Sequence, residues 1–184
     1  MSSGVDFRDY DPRWPVQFEE LKSRFEEVLP ESARIDHIGS TAVPGLAAKA
    51  CIDILITVSR ADLGATTSAL VGRGLEHRPA SFADDADRRF LRLLDGDRRV
   101  AHVHLLADDH SAGHAMRAVR DLLRDDPDWR RGYEVTKRLL AENHPDDRAA
   151  YIEGKDGFVR DLTRAAVDRA RTDHPGRNRR PRCT

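Results

Sequence analysis

The segment IDHIGSTAVPGLAAKACIDILI, residues 35–56, decides the fold. It begins in a short predicted strand, Arg34–Ile38, which ends at Gly39-Ser40-Thr41. A loop over residues 41–49 leads to CIDILITV, residues 51–58, a β-branched apolar run that contains one carboxylate, Asp53. Such a run is typical of a central strand that is buried on both faces. The segment therefore predicts two strands joined through a glycine-serine bend.

The rest of the chain predicts one mixed sheet with helices packed on it. The predicted helices cover residues 15–29 and 61–73, and further helices begin at Ser111, at Asp126-Pro127 and at Asp146 or Asp147. The predicted hairpin pairs residues 88–94 with residues 99–106. The fold class is therefore α/β (α+β) with a helical C-terminal third. We expect one domain over residues 1–171 and a disordered basic tail over residues 172–184.

The composition is that of an ordinary globular protein. The 184 residues fit one domain, and a net charge of −1 with interspersed acids and bases gives no strong signal for nucleic-acid binding. No run of 18 apolar residues predicts a membrane span, and residues 1–9 lack the apolar core of a signal peptide. Cys51 and Cys183 are too few for a disulfide framework. We therefore expect a soluble, cytoplasmic protein.

The glycine-serine bend has the chemistry of a phosphate site. Gly39 lets the backbone approach a ligand closely, and the Ser40 hydroxyl and the amides that follow can donate to phosphate oxygens. Asp53 would be expensive on a buried strand unless a cation neutralised it. A divalent metal between Asp53 and the phosphates of a nucleotide would meet that need. The ordinary alternatives are a tight turn and a carboxylate paired with protein groups.

Further side chains are candidates for the same site. They are Thr41, Lys49 and Lys155 for phosphate, His102 and His104 for metal, and His37 and His104 for acid–base chemistry. The strand period places His102 and His104 on one face. Each candidate also has an ordinary structural role, as a hydrogen-bonded strand histidine or a solvated lysine. Only four of the 31 basic residues are lysine, so a retained lysine suggests a need for a compact ammonium.

The segment and the motifs around it resemble the GrpB family of the nucleotidyltransferase superfamily. The motifs are YDPRW (10–14), DHIGSTAVPGLAAK (36–49), IDIL (52–55), HVHL (102–105), VRDLL (119–123), the pair Tyr133 and Lys137, and Tyr151-x3-Lys155-x2-Phe158. The resemblance covers most of the chain and implies the nucleotidyltransferase-like fold. It also implies ATP or another nucleoside triphosphate as substrate, with Mg²⁺ or Mn²⁺. Some members of the family are fused to dephospho-CoA kinase.

The chain departs from the superfamily pattern at one position. Superfamily members carry two acids, two residues apart, on the metal-binding strand, whereas Leu55 occupies the second position here. His104 or His102 could stand where the superfamily has its third acid and bind a single metal together with Asp53. A histidine ligand suits Mn²⁺ or Zn²⁺ better than Mg²⁺.

Three functions follow as alternatives. The first is a metal-dependent nucleotidyltransferase, or an adenylate-forming ligase, that acts on a small-molecule acceptor. The second is a non-catalytic module that binds a nucleotide or a CoA-type ligand, or a chaperone-like partner of an enzyme, which Leu55 favours. The third is a metal-dependent phosphohydrolase that uses His102 and His104.

Overall fold

The computed structural model describes residues 7–144 and 147–173. The strands are β1 (Phe7–Arg8), β2 (Arg34–Ile38), β3 (Ala48–Lys49), β4 (Ile52–Val58), β5 (Leu75–His77), β6 (Arg88–Asp95) and β7 (Arg98–Ala107). The helices are α1 (Trp14–Glu26), α2 (Leu63–Gly72), α3 (Ser111–Asp125), α4 (Pro127–Asn143) and α5 (Arg148–Asp173). Short 3₁₀ turns lie at Ser40–Ala42, Arg60–Asp62 and Pro79–Phe82.

Five strands form a mixed sheet in the order β2-β4-β7-β6-β5. Strand β4 runs parallel to β7, and the other neighbouring pairs are antiparallel. All residues of β4 are buried except Asp53, which is half-buried. The predicted mixed sheet and its central strand are therefore confirmed. Strands β1 and β3 form a separate antiparallel pair, which the sequence did not predict.

The two faces of the sheet carry different side chains. Ile52, Ile54 and Ile56 point to one face, where they join the main core with residues of α1 and α2. Asp53 and Leu55 alternate with them and therefore point to the opposite face. On that second face Leu55 packs in a small apolar cluster beneath α3. The helical third of the chain thus lies on the face that carries Asp53.

An ion-pair cluster holds α3 against the edge strand β2. The Asp36 carboxylate accepts from Arg117 Nε at 2.7 Å and from Arg34 Nε at 3.0 Å, and Arg120 Nη1 lies 3.4 Å away. Burial raises the pKa of Asp36, but the guanidiniums of Arg117 and Arg34 outweigh it and hold the pKa below its usual value. Arg120 also pairs with Asp121, its neighbour on α3, at 2.7 Å. These contacts fix the helical part on the sheet.

The last two helices pack against the loop that follows the bend. Val43 and Leu46 enter a cluster with residues of α3 and α5, so the loop is anchored by the helices. Asp126 caps α4 and accepts from two amides, as predicted. In α5, a Cβ on Gly154 would overlap Cδ2 of Leu140 in α4, which explains a glycine inside a helix. The close approach of α4 and α5 depends on it.

The helix α5 continues through Thr172 and Asp173, so the structure contradicts a tail that begins at residue 172. The rest of the predicted tail, residues 174–184, lies outside the described residues, as do residues 1–6 and Asp146. Within the described part of the chain, no helix has both the length and the apolar character needed to cross a membrane.

Candidate functional site

Gly39 and Asp53 meet at the end of β2. Ile38 is the register partner of Asp53 in the antiparallel pair of β2 and β4, so the bend begins directly beside the carboxylate. Gly39 has a φ of +70°, a conformation that favours glycine. A Cβ at this position would overlap Asp53 Oδ2 and lie 2.9 Å from the Asp53 Cβ. The absence of a side chain at residue 39 therefore lets the Asp53 carboxylate pack directly against the backbone of the bend.

Asp53 is accessible from solvent, which corrects the prediction of a buried charge. Its side chain is 32% exposed, and the side chain of its neighbour His102 is 23% exposed. His102 is the register partner of Asp53 on β7, and its Nδ1 lies 3.1 Å from Asp53 Oδ1. Because water reaches the carboxylate and an imidazole contacts it, burial alone does not require a metal at Asp53.

Lys137 places a buried amine beside Ser40. Lys137 is 3% exposed, and its Nζ donates to Ser40 Oγ at 3.0 Å and to the Ala47 carbonyl at 2.7 Å. The ring centres of Tyr133 and Phe7 lie 4.5 and 5.2 Å from this nitrogen. No carboxylate forms a salt bridge with Lys137 within residues 7–144 and 147–173. A buried cation is thus held only by neutral groups.

The electrostatics of this amine are unusual for a lysine. Burial, followed by the ammonium of Lys155, lowers the pKa of Lys137 to about 7. Burial also raises the pKa of Tyr133 to about 12, with Ser40 hydrogen-bonded to it. An anion next to Lys137 would favour its charged form and supply the missing counter-charge. The amine is therefore a strong candidate to contact a negatively charged ligand.

Lys49 and Lys155 both lie near the ring of Tyr151. The Lys49 nitrogen lies 4.7 Å from the Tyr151 ring centre, and the Lys155 nitrogen lies 5.7 Å from it. Three of the four lysines of the chain therefore gather near the bend. The sequence predicted Lys49 and Lys155 as site residues but did not predict Lys137. Two signals pointed to it, since lysine is scarce in this chain and Lys137 belongs to the Tyr-x3-Lys motif.

Two of the predicted site residues turn away from the carboxylate. His37 is the register partner of Ile54, so its ring lies on the opposite face of the sheet from Asp53. There it stacks on Phe18 at 4.6 Å, and its Nε2 lies 3.0 Å from Thr41 Oγ1. Burial lowers the pKa of His37 to about 4. The structure therefore gives His37 and the Thr41 hydroxyl a packing role rather than a place beside the ligand.

His104 lies on β7 two residues after His102, the register partner of Asp53. It is the register partner of Leu55, and its ring packs 5.1 Å from the ring of Phe90. Its Nδ1 is buried without a hydrogen-bond partner, and burial lowers its pKa to about 4. Of the two candidate histidines, the structure thus places His102 at the carboxylate, whereas the sequence favoured His104.

The donor set at Asp53 restricts how a metal could bind. Leu55 is 0% exposed within its apolar cluster and leaves no room for a second acid on β4. Within the described residues, no group of three or more His, Cys, Asp or Glu side chains could hold a metal ion. Asp53 with His102 offers two donors, and a Mg²⁺-type ion commonly takes the remainder from phosphate and water. A metal at Asp53 would therefore need most of its ligands from outside the described residues.

Comparison with known structures defines the class of fold. The chain has a nucleotidyltransferase-like fold, which it shares with a chain of the GLD-2/RNP-8 complex. The TM-score is 0.54 at 14% identity, and the match covers 85% of this chain and 50% of that one. The chain belongs to the GrpB protein family, whose profile matches residues 4–165.

Several relatives support this membership. The crystal structure of the conserved protein GrpB from Enterococcus faecalis has a TM-score of 0.80 at 31% identity, covering 89% of this chain and 98% of that one. The UPF0157 protein YqkA of Bacillus subtilis is 34% identical over 92% of this chain, and this chain spans 48% of its length. A dephospho-CoA kinase of Mycolicibacterium paratuberculosis is 33% identical over 86% of this chain, which spans 45% of that protein. The chain thus spans about half the length of these two relatives.

Proposed function

We propose that the bend binds the phosphates of a nucleoside triphosphate, such as ATP, together with a divalent metal. The observation that carries the proposal is that Asp53 lies against Gly39, while the next residue of the bend, Ser40, accepts a hydrogen bond from Lys137. One carboxylate, one hydroxyl and one buried amine without a salt bridge among the described residues lie on or beside the bend, and they support the proposal. That set of groups matches the needs of a metal–polyphosphate ligand.

Each group has a separate task in this proposal. The Ser40 hydroxyl donates to a phosphate oxygen, and the ammonium of Lys137 neutralises it at short range. Lys49 and Lys155 add positive charge at the rim of the site. Asp53, with His102 beside it, would hold Mg²⁺ or Mn²⁺, and Zn²⁺ is the alternative that the imidazole favours. A metal bound there supplies charge stabilisation for transfer at phosphorus.

The proposed reaction is transfer of a nucleotidyl group to a small acceptor, with release of pyrophosphate. The acceptor would be a hydroxyl, an amine or a carboxylate that is activated for ligation. A base next to the acceptor is required. His102 is the histidine in contact with Asp53, and His104 stays a second candidate from the sequence.

The competing proposal is a module that binds the nucleotide, or a CoA-type ligand, without turnover. The buried Leu55 favours it, because the chain lacks the second acid that a two-metal site would need. The match to part of a dephospho-CoA kinase is consistent with a domain that serves another enzyme. The phosphohydrolase alternative is less favoured, since His104 lies among aromatic rings away from Asp53.

Pyrophosphate release separates the two main proposals. We expect the protein, given ATP, Mg²⁺ or Mn²⁺ and a mixture of small acceptors, to release pyrophosphate, and Asp53→Asn to reduce the rate at least about 100-fold, a loss of about 2.7 kcal/mol. Asp97→Asn, an exposed carboxylate in the hairpin turn, is the control and should leave the rate unchanged. Metal-dependent binding of ATP without any pyrophosphate release would instead support the module.

A further inference from the structure

A cavity lies at the start of strand β6, beside the 3₁₀ turn Pro79–Phe82. Its volume is about 230 Å³, and its lining includes His77, Arg78, Phe82, Arg88, Arg89 and Phe90. We call this cavity the hairpin pocket. None of its lining residues belongs to the bend or to the lysine cluster. Sites for drug-sized ligands occupy roughly 300–1,000 Å³, so the hairpin pocket suits a small molecule or one group of a larger one.

The hairpin pocket carries an excess of positive charge. Three arginines line it, and Asp85 is the acid among its lining residues. The Asp85 carboxylate is already engaged, since it lies 3.0 Å from His110 Nε2 and accepts from the Asp87 amide at 3.2 Å. It therefore offsets only part of the charge of the arginines.

Arg88 has one buried nitrogen without a hydrogen-bond partner, although the carboxylate of Asp85 is close enough to act on its charge. Its Nε is buried without a hydrogen-bond acceptor, and among the described residues no carboxylate forms a salt bridge with it. Its guanidinium carbon lies 3.5 Å from the centre of the Phe82 ring, which fixes the group against the wall of the hairpin pocket. A buried donor of a charged group costs free energy when no acceptor is present. An acceptor brought by a ligand would remove that cost.

His77 adds a second donor site on the same cavity. Its Nε2 is also buried without a partner. Burial and the charge of Arg89 lower the pKa of His77, which favours the neutral ring, and in the tautomer with its proton on Nε2 that nitrogen would donate to a ligand. Two unpartnered nitrogens on one positively charged cavity indicate a missing acceptor that carries negative charge.

We propose that the hairpin pocket binds a small aromatic anion, with a carboxylate or phosphate group that accepts from Arg88 Nε and a flat part that packs on Phe82 and Phe90. The two rings stand edge to face with centres 6.3 Å apart and give the cavity an apolar wall. This site shares no lining residue with the proposed nucleotide site, although Phe90 packs 5.4 Å from the ring of His102.

Calorimetric titration with two matched anions tests the proposal. Benzoate carries the carboxylate, phenyl phosphate carries the phosphate, and benzamide is the neutral control. We expect at least one anion to bind with a Kd of about 1 mM or tighter, and benzamide not to bind. The stronger of the two anions identifies the group that the site prefers.

Variants assign the binding to Arg88. Arg88→Met should weaken it at least tenfold, and Arg88→Lys should weaken it as well, because lysine keeps the charge but has no Nε–H. Arg98→Met, at an exposed arginine of the same hairpin that pairs with Asp95, should leave the affinity unchanged. Lys137→Met should also leave it unchanged. If Arg88→Met does not fold, Arg88→Lys decides the question.

Three results would overturn the proposal. The first is that neither anion binds in the millimolar range. The second is that both Arg88 variants bind as tightly as the wild type. The third is that Lys137→Met abolishes binding, which would assign the anion to the bend instead.

Discussion

At the scale of single residues, Gly39 brings Asp53 and Ser40 together because the backbone turns with φ at +70° directly over the carboxylate. A side chain at this position would occupy the space against Asp53 Oδ2. The same residue therefore sets the backbone path and lets the Asp53 carboxylate lie directly against the bend.

Gly39→Ala separates this steric effect from backbone strain. The methyl group would overlap Asp53, so we expect loss of nucleotide binding and a stability loss beyond the roughly 1 kcal/mol of a left-handed alanine. Gly45→Ala is a matched control, since Gly45 has a φ of +77° but a Cβ there would meet nothing within 4 Å. Chemical denaturation and ATP titration of both variants check this. Equal losses in the two variants would contradict the close approach of Gly39 to Asp53.

Lys137 predicts a dependence of stability on pH. Its pKa is about 7 in the folded chain and near its ordinary 10.5 when unfolded, so the unfolded chain binds the proton more tightly between these values. Stability therefore rises from pH 7 towards pH 10.5, at up to about 1.4 kcal/mol per pH unit. Below pH 7 both states are protonated, and the contribution is constant.

Lys137→Met should remove this rise. Denaturation of the wild type and the variant at pH 6 to 10 measures the free energy of unfolding of each. As the pH increases, the free energy of unfolding of the wild type should rise relative to that of the variant. Lys22→Met, at a surface lysine beside Glu19 and Glu26, is the matched control for the loss of an ammonium group. A constant difference between the wild type and Lys137→Met would show that the amine is not perturbed.

At the scale of elements, the site depends on how α3 is fixed to β2. Asp36 is the centre of that contact, with Arg117, Arg34 and Arg120 around it and a side chain that is 9% exposed. The helix in turn covers Leu55, next to Asp53 on β4. A change in the position of α3 would therefore also change the surroundings of the Asp53 carboxylate.

Asp36→Asn should destabilise the fold by about 3 kcal/mol, because it leaves buried guanidiniums without their counter-charge. Asp121→Asn is the control. Asp121 pairs with Arg120 at 2.7 Å, but its side chain is 54% exposed, so we expect a loss below about 1 kcal/mol. Thermal or chemical denaturation measures both. Similar losses would mean that the Asp36 cluster contributes no more than a surface pair.

The elements that the sequence predicted are those with a long regular pattern. The apolar run of β4, the hairpin of β6 and β7, and the Asp126 cap of α4 were recognisable because each has a strong local signal. Strands β1, β3 and β5 have two or three residues each, too few for a period to appear. The cap of α3 is His110 rather than the expected Ser111, since an imidazole acceptor is not a common cap signal.

At the scale of the whole molecule, the site combines segments that are far apart in the sequence. The bend and Asp53 come from the sheet, whereas Lys137 comes from α4, 97 residues after Ser40. Local pattern could identify the bend and its carboxylate because they lie in one segment. It could not select Lys137, or choose His102 over His104, because those relations depend on helix packing and strand register.

The central claim is that the bend holds a metal–nucleotide complex at Asp53. The most direct measurement is calorimetric titration of ATP into the wild type and Asp53→Asn, with and without Mg²⁺ or Mn²⁺. We predict that one of these metals tightens binding to the wild type at least tenfold, about 1.4 kcal/mol, and that Asp53→Asn loses this gain. The claim is contradicted if ATP does not bind, or if the metal tightens binding equally in both proteins.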